Sequence, residues 1–147
     1  MRTTVQAPSL PPGKADAKVD QQFRDQARAA LNTEIRFERR YETSETGLTE
    51  MWADDMPTNS VWRMNVSVVG RSDDGSETCV YERRAQFSRA EGDATLLGSL
   101  ETVGTDYESD AALDVDLAAS GEGVSLQVNG STFEMRWKAV IKINEIR

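Results

Sequence analysis

Between Phe133 and Asn144 the chain keeps a period of two. Phe133, Met135, Trp137, Ala139, Ile141 and Ile143 take the odd positions; Glu134, Arg136, Lys138, Lys142 and Asn144 take the even ones, with Val140 the exception. That is the period of a strand with one dry face and one wet face. A one-residue slip would turn the whole apolar set to water, so the register is firmly specified. A strand of this kind must bury its apolar face against other strands, which commits this part of the chain to a sheet.

The same alternation recurs upstream. Trp62, Met64, Val66 and Val68 alternate with Arg63, Asn65 and Ser67, and Thr78–Arg89 sets Cys79, Tyr81, Ala85 and Phe87 on one face. Thr95–Val103 reads as a further strand. Leu113, Val115 and Leu117 alternate with Asp114 and Asp116, and Val124, Leu126 and Val128 alternate with Ser125 and Gln127. Turn clusters separate these runs at Arg71–Ser76, Glu91–Asp93 and Ser120–Gly123, and Asn129-Gly130 is a strong hairpin signal. Several half-buried antiparallel strands predict an all-β sandwich over residues 41–147.

The N-terminal part reads differently. Residues 1–15 are polar and hold Pro8, Pro11, Pro12 and Gly13, which predicts an extended arm with no core of its own. From Asp16 to Arg36 there is neither Pro nor Gly, and Val19, Phe23, Ala27, Leu31 and Ile35 recur every four residues. This spacing predicts one amphipathic α-helix with a thin apolar stripe. So narrow a helix needs a surface to pack on, either its own β-body or another chain. Its place behind an arm favours another chain, which makes those five residues candidate partner or oligomer contacts. Residues 1–40 are therefore read as an attachment segment and residues 41–147 as the sandwich domain. Removing residues 1–40 is expected to leave the sandwich folded.

Charge sharpens the division. The chain has 147 residues and a net charge of -8. Residues 1–43 carry a net +2 and residues 44–147 a net -10. An acidic total argues against nucleic acid, whose phosphates call for clustered cations. No apolar run is long enough to cross a membrane, and the first 13 residues lack the apolar stretch of a secretory signal.

The sequence contains no histidine, which removes the commonest general base and metal ligand, and its one cysteine, Cys79, lies on an apolar strand face. No catalytic residue, cofactor site or metal centre is assigned. Carboxylates are plentiful, among them Asp54, Asp55, Asp73, Asp74, Asp106, Glu108 and Asp110. They read as solvated loops, as does Asp73–Glu77, which lacks the spacing of an EF-hand calcium loop. Trp62 and Trp137 read as core. Trp52, beside Asp54-Asp55, reads first as core-edge packing and second as a candidate ligand-facing residue, together with Asp73 and Asp74.

From Asn59 to Ile146 the chain also resembles a β-domain of tailed-bacteriophage virion structural proteins. The resemblance rests on Val66-Ser-Val-Val-Gly-Arg71, Tyr81-Glu-Arg-Arg-Ala-Gln-Phe-Ser-Arg89, Gly98-Ser99 and Glu108-Ser-Asp-Ala111. It continues through Val128-Asn-Gly130, Arg136-Trp-Lys-Ala-Val140 and Asn144-Glu-Ile146. Ala111-Ala-Leu113 stands where that pattern often has a tryptophan. The resemblance implies a jelly-roll-like sandwich in a virion component, commonly a homotrimer, with no catalytic motif. The expectation is a structural accessory protein of the particle, joined to capsid or tail proteins through its N-terminal segment: a capsid decoration or head-fibre protein. The alternative is a tail-fibre or baseplate component, or a module binding a host-surface glycan or receptor.

Overall fold

The structure is a computed structural model in which residues 3–6, 33–44 and 46–147 are described, with side chains from residue 34 onward. Ten strands follow one another: β1 (Thr3–Gln6), β2 (Thr33–Thr43), β3 (Thr49–Asp55), β4 (Ser60–Ser72), β5 (Thr78–Arg89), β6 (Thr95–Thr102), β7 (Tyr107–Glu108), β8 (Asp114–Ser120), β9 (Gly123–Asn129) and β10 (Met135–Ile146). They form two sheets. The larger has seven strands in the order β1-β2-β10-β4-β5-β6, with β7 also on β5, and the smaller has the order β3-β9-β8. All pairings are antiparallel except β1 with β2.

Alternation dictates what each strand buries. β4 is buried at Trp62, Met64, Val66 and Val68, and β10 at Met135, Trp137, Ala139, Ile141 and Ile143. Register lines these positions up, with Trp137 opposite Gly70, Ile141 opposite Val66 and Ile143 opposite Met64. The inner faces of both sheets meet in one apolar cluster, to which the smaller sheet adds Met51, Trp52, Val115, Leu117, Leu126 and Val128. The all-β expectation holds. The division into seven and three strands departs from a jelly roll, which sets eight strands into two sheets through two Greek keys.

The N-terminal boundary moves. Thr33–Arg40 belong to β2, which lies against β10 in the middle of the larger sheet. Ile35 is fully buried and sits opposite Ile143, so it is a core residue of its own subunit and not a partner contact. The reason lies in a double pattern. Ile35 completes the four-residue stripe, yet it also opens the dyad Ile35, Phe37, Tyr41, Thr43, in which Arg39 hides the alternation. Sheet pairing outweighs a helical propensity that is weak at β-branched and aromatic residues. The rest of the stripe, Val19, Phe23, Ala27 and Leu31, lies outside the described residues, as does the helix predicted ahead of Thr33.

Asn129-Gly130 is not a two-residue hairpin either. β9 belongs to the smaller sheet and β10 to the larger, so the chain changes layer there. Ser131 takes the positive φ, 55°, and its N–H donates to Asn129 Oδ1 at 2.8 Å. Gly130 serves close approach: a Cβ there would stand 2.7 Å from Thr43 Oγ1.

Candidate functional site

Two of the three candidate ligand-facing residues are tied into the fold. Trp52 is only 5% exposed, because a bulge at Glu50/Trp52 turns both Met51 and Trp52 inward. Its ring lies 5.8 Å from that of Phe37, so Trp52 is a core residue and not a ligand anchor. Asp74 closes the β4–β5 turn. It accepts hydrogen bonds from the Ser76 hydroxyl (2.7 Å), the Ser76 N–H (2.9 Å) and the Ser72 hydroxyl (2.7 Å). Asp73 is also exposed and accepts from Arg136 Nε at 2.8 Å.

The hydrogen bonds to Asp74, those from Ser76 foremost, hold its carboxyl down from 3.8 to about 2. A carboxyl with a depressed folded-state pKa stabilises the fold above its unfolded value, and that contribution is lost as pH falls toward the folded value. The denaturation midpoint is therefore expected to fall as pH drops from 3.8 to about 2. Asp74→Ala should be less stable at neutral pH and show a flatter dependence in that window, measured by urea unfolding at a series of pH values.

The loop from Val103 to Asp110 is braced from beneath. Arg83 grips both Asp106 carboxylate oxygens, Nη1 at 2.6 Å and Nη2 at 2.8 Å. The resulting hydrogen bonds from Arg83 lower the Asp106 carboxyl below its usual range. Tyr81 donates its hydroxyl to Glu108 at 2.8 Å, and Ser109 Oγ accepts from the Thr78 N–H at 2.9 Å. Neighbouring Cys79 is buried, and loss of water lifts its thiol to about 12, which leaves it no nucleophilic thiolate near neutral pH. No group of three or more potential metal-ligating side chains occurs among the described residues.

What the fold assembles is a cationic surface. β3, β8 and β9 contain no Lys or Arg at all. On the larger sheet, Arg40 and Arg36 of β2 lie beside Lys138 and Lys142 of β10, Arg136 of β10 faces Arg71 of β4, and Arg63 of β4 lies opposite Asn144. All project outward, because the alternate residues of these strands fill the core. The outward positions of β10 and β4 carry no acid. Arg136 bonds to Asp73, Arg36 to Glu38 at 2.8 Å, and Arg84 of β5 approaches Glu101 at 3.8 Å. Arg40, Arg63, Arg71, Lys138 and Lys142 form no ion pair with any described residue. Glu34, Glu38 and Glu42 alternate with the cations of β2, so the positive field is strongest over β10 and β4, where an anionic ligand gains Coulomb energy.

At one end of this surface lies a shallow depression of about 380 Å³, lined by Arg40, Tyr41, Glu42, Val69, Gly70, Arg71, Arg136, Trp137 and Lys138. Arginine and lysine heads rim it, and apolar atoms make up most of its floor. The sequence reading missed this surface. The charge sums separate a basic N-terminal part from an acidic remainder, whereas the β2–β10–β4 pairing joins cations from residues 36–40, 63–71 and 136–142.

Comparison with protein-family models and with curated proteins finds no match. Among solved structures, the chain is similar to the tailspike protein of Acinetobacter baumannii phage AM24, with 12% identity and a TM-score of 0.45 over 76% of this chain and 26% of that one. It is also similar to tailspike protein gp49 of A. baumannii bacteriophage Fri1, a capsular polysaccharide depolymerase, with 13% identity and a TM-score of 0.40 over 74% of this chain and 17% of that one. The chain thus corresponds to a minor part of each tailspike's length.

Proposed function

We propose that this chain is a non-catalytic binding module of a tailed-phage particle, of the tail-fibre or tailspike kind, and that it holds an anionic host-surface polymer on the outward face of the larger sheet. The carrying observation is that Arg40, Arg63, Arg71, Lys138 and Lys142, on β2, β10 and β4, form no ion pair with any described residue, in a protein whose net charge is -8. The setting in a phage particle is supported by the succession of sequence pieces between Asn59 and Ile146. The decoration or head-fibre reading placed attachment in residues 1–40. Thr33–Arg40 are sheet, so attachment to other virion proteins is assigned to the residues ahead of them, with Val19, Phe23, Ala27 and Leu31 as contacts. In a homotrimer, the state the family resemblance implies, three weak sites would act together by avidity.

The test is binding of the full chain to polygalacturonate, a polymer of carboxylated sugars. Replacing Arg40 and Lys138 together by Glu is expected to weaken binding roughly 10- to 100-fold, and rising salt should weaken the native protein as well. Unchanged binding by the double variant, with an unchanged circular dichroism spectrum, removes the proposed face. The same mixtures report polymer length, and shortening of the polymer would overturn the non-catalytic part of the reading.

A further inference from the structure

One row of outward side chains crosses five strands of the larger sheet. Register places Tyr107 of β7 beside Val80 of β5, Val80 beside Val69 of β4, Val69 beside Lys138 of β10, and Lys138 beside Arg40 of β2. The apolar members are unusually open for large side chains on a sheet: Tyr107 is 58% exposed, Val80 50% and Val69 45%. Four steps between neighbouring strands give the row a length of about 19 Å. One end is aromatic, the middle aliphatic and the other end doubly cationic.

The aromatic end is held in place. Tyr107 sits between Asp106 and Glu108, and each of these is tied to β5, Asp106 through both oxygens to Arg83 and Glu108 through the Tyr81 hydroxyl. Backbone pairing with Val80 fixes the residue from the side. The ring is therefore presented outward on a braced backbone, and a ligand that stacks on it pays little ordering entropy.

We infer that this row is a subsite for a chain of carboxylated polysaccharide lying across the strands. A neutral pyranose would rest its C–H face on Tyr107 and the two valines, and a carboxylate farther along the chain would meet Lys138 and Arg40. Sugar rings offer apolar and polar faces on one rigid unit, which is the combination the row displays. Carboxylates match the arginine fork and the lysine point charge. A linear occupant is favoured over a flat acidic protein surface because acids flank the row: Glu82 and Glu38 lie two residues along the strands on one side and Glu42 on the other. They would repel a broad acidic surface but leave a narrow path open.

This inference rests on the binding role proposed above, and three variants of the full chain separate the two. Binding to a hyaluronan oligosaccharide, which alternates carboxylated and neutral sugars, and to poly-L-glutamate is measured for each. Tyr107→Ala is expected to weaken the oligosaccharide about tenfold and poly-L-glutamate less than twofold, and Tyr107→Phe should keep both. Arg40→Gln with Lys138→Gln should weaken both probes. If Tyr107→Ala affects both probes alike, or neither, the row is a general anionic or protein-contact surface and the saccharide subsite is overturned while the cationic face stands. If the Gln pair affects neither probe, the binding role itself fails. Failure of the native chain to bind the oligosaccharide at millimolar concentration also overturns the subsite.

Discussion

A chain starting at residue 41 is expected to lose its cooperative unfolding transition. The cut removes Thr33–Arg40, most of β2, and with it two fully buried side chains, Ile35 and Phe37. Truncating such residues one at a time to Ala costs about 2–5 kcal/mol for Ile and 3–5 for Phe. Together these approach the whole stability of an ordinary domain, about 5–15 kcal/mol. The cut also strips β10 of its partner along one side, leaving the N–H and C=O groups of a long apolar strand open to pairing with other molecules. Aggregation should therefore accompany unfolding. Urea titration followed by tryptophan fluorescence and sedimentation checks both. A cooperative transition with an unchanged midpoint would show that β2 is dispensable. Phe37→Ala in the full chain gives the milder version: Phe37 packs against Trp52 at 5.8 Å, and its loss alone should lower stability by about 3–5 kcal/mol.

How much of this was readable in the sequence depends on what each residue's local pattern could carry. β4, β5 and β10 were legible because their alternation runs long enough to survive Arg83 at an inward position of β5 and Val140 at an outward one of β10. The turn at Asp73–Ser76 was legible because its side chains satisfy its own backbone, with Asp74 capping Ser76. β2 was not. Its apolar dyad is broken by Arg39, a buried residue whose guanidinium lies 5.1 Å from the Phe37 ring centroid, a stacking no spacing rule announces. Trp52 was left open between core edge and ligand face for a similar reason: a bulge shifts the inward face by one residue, and bulges leave no mark in a period-two reading. Asn129-Gly130 has the composition of a hairpin turn, but only the packing of Gly130 against Thr43 and Met135 shows that the chain crosses between layers there.

The cationic face was the least legible of all, since it exists only once β10 has paired with β2 on one side and β4 on the other. β2 alone looks like an ordinary wet face of mixed charge, and β10 and β4 alone offer only three and two outward cations. Pairing sorts the charges: the acids of β2 stay at the margin, and the cations of β10 and β4 meet in the centre. The same holds for the row from Tyr107 to Arg40, whose members are spread over residues 40–138. Asp106 and Glu108 read as solvated loop residues, whereas they reach back to Arg83 and Tyr81 of β5 and leave Tyr107 between them exposed.

The second large effect is expected at Trp62. It is fully buried, it lies opposite Phe87 on β5 and Glu145 on β10, and its indole N–H donates to Glu145 Oε1 at 2.8 Å. Trp62→Ala removes the largest buried side chain of β4 at the centre of the larger sheet and should cost about 3–5 kcal/mol, the range for Trp or Phe truncation in a core that relaxes only in part. It also takes one donor from a carboxylate that is itself only 4% exposed in its side chain. Trp62→Phe separates the two contributions, since it keeps an aromatic body in the core and deletes the N–H. A buried charged acceptor deprived of one hydrogen bond costs about 1–3 kcal/mol, so Phe should fall between native and Ala. Glu145→Gln in the Trp62→Phe background then reads the coupling. If the indole–carboxylate bond matters, the second change costs less in that background than in the native chain, and equal costs in both would mean that Trp62 acts by volume alone.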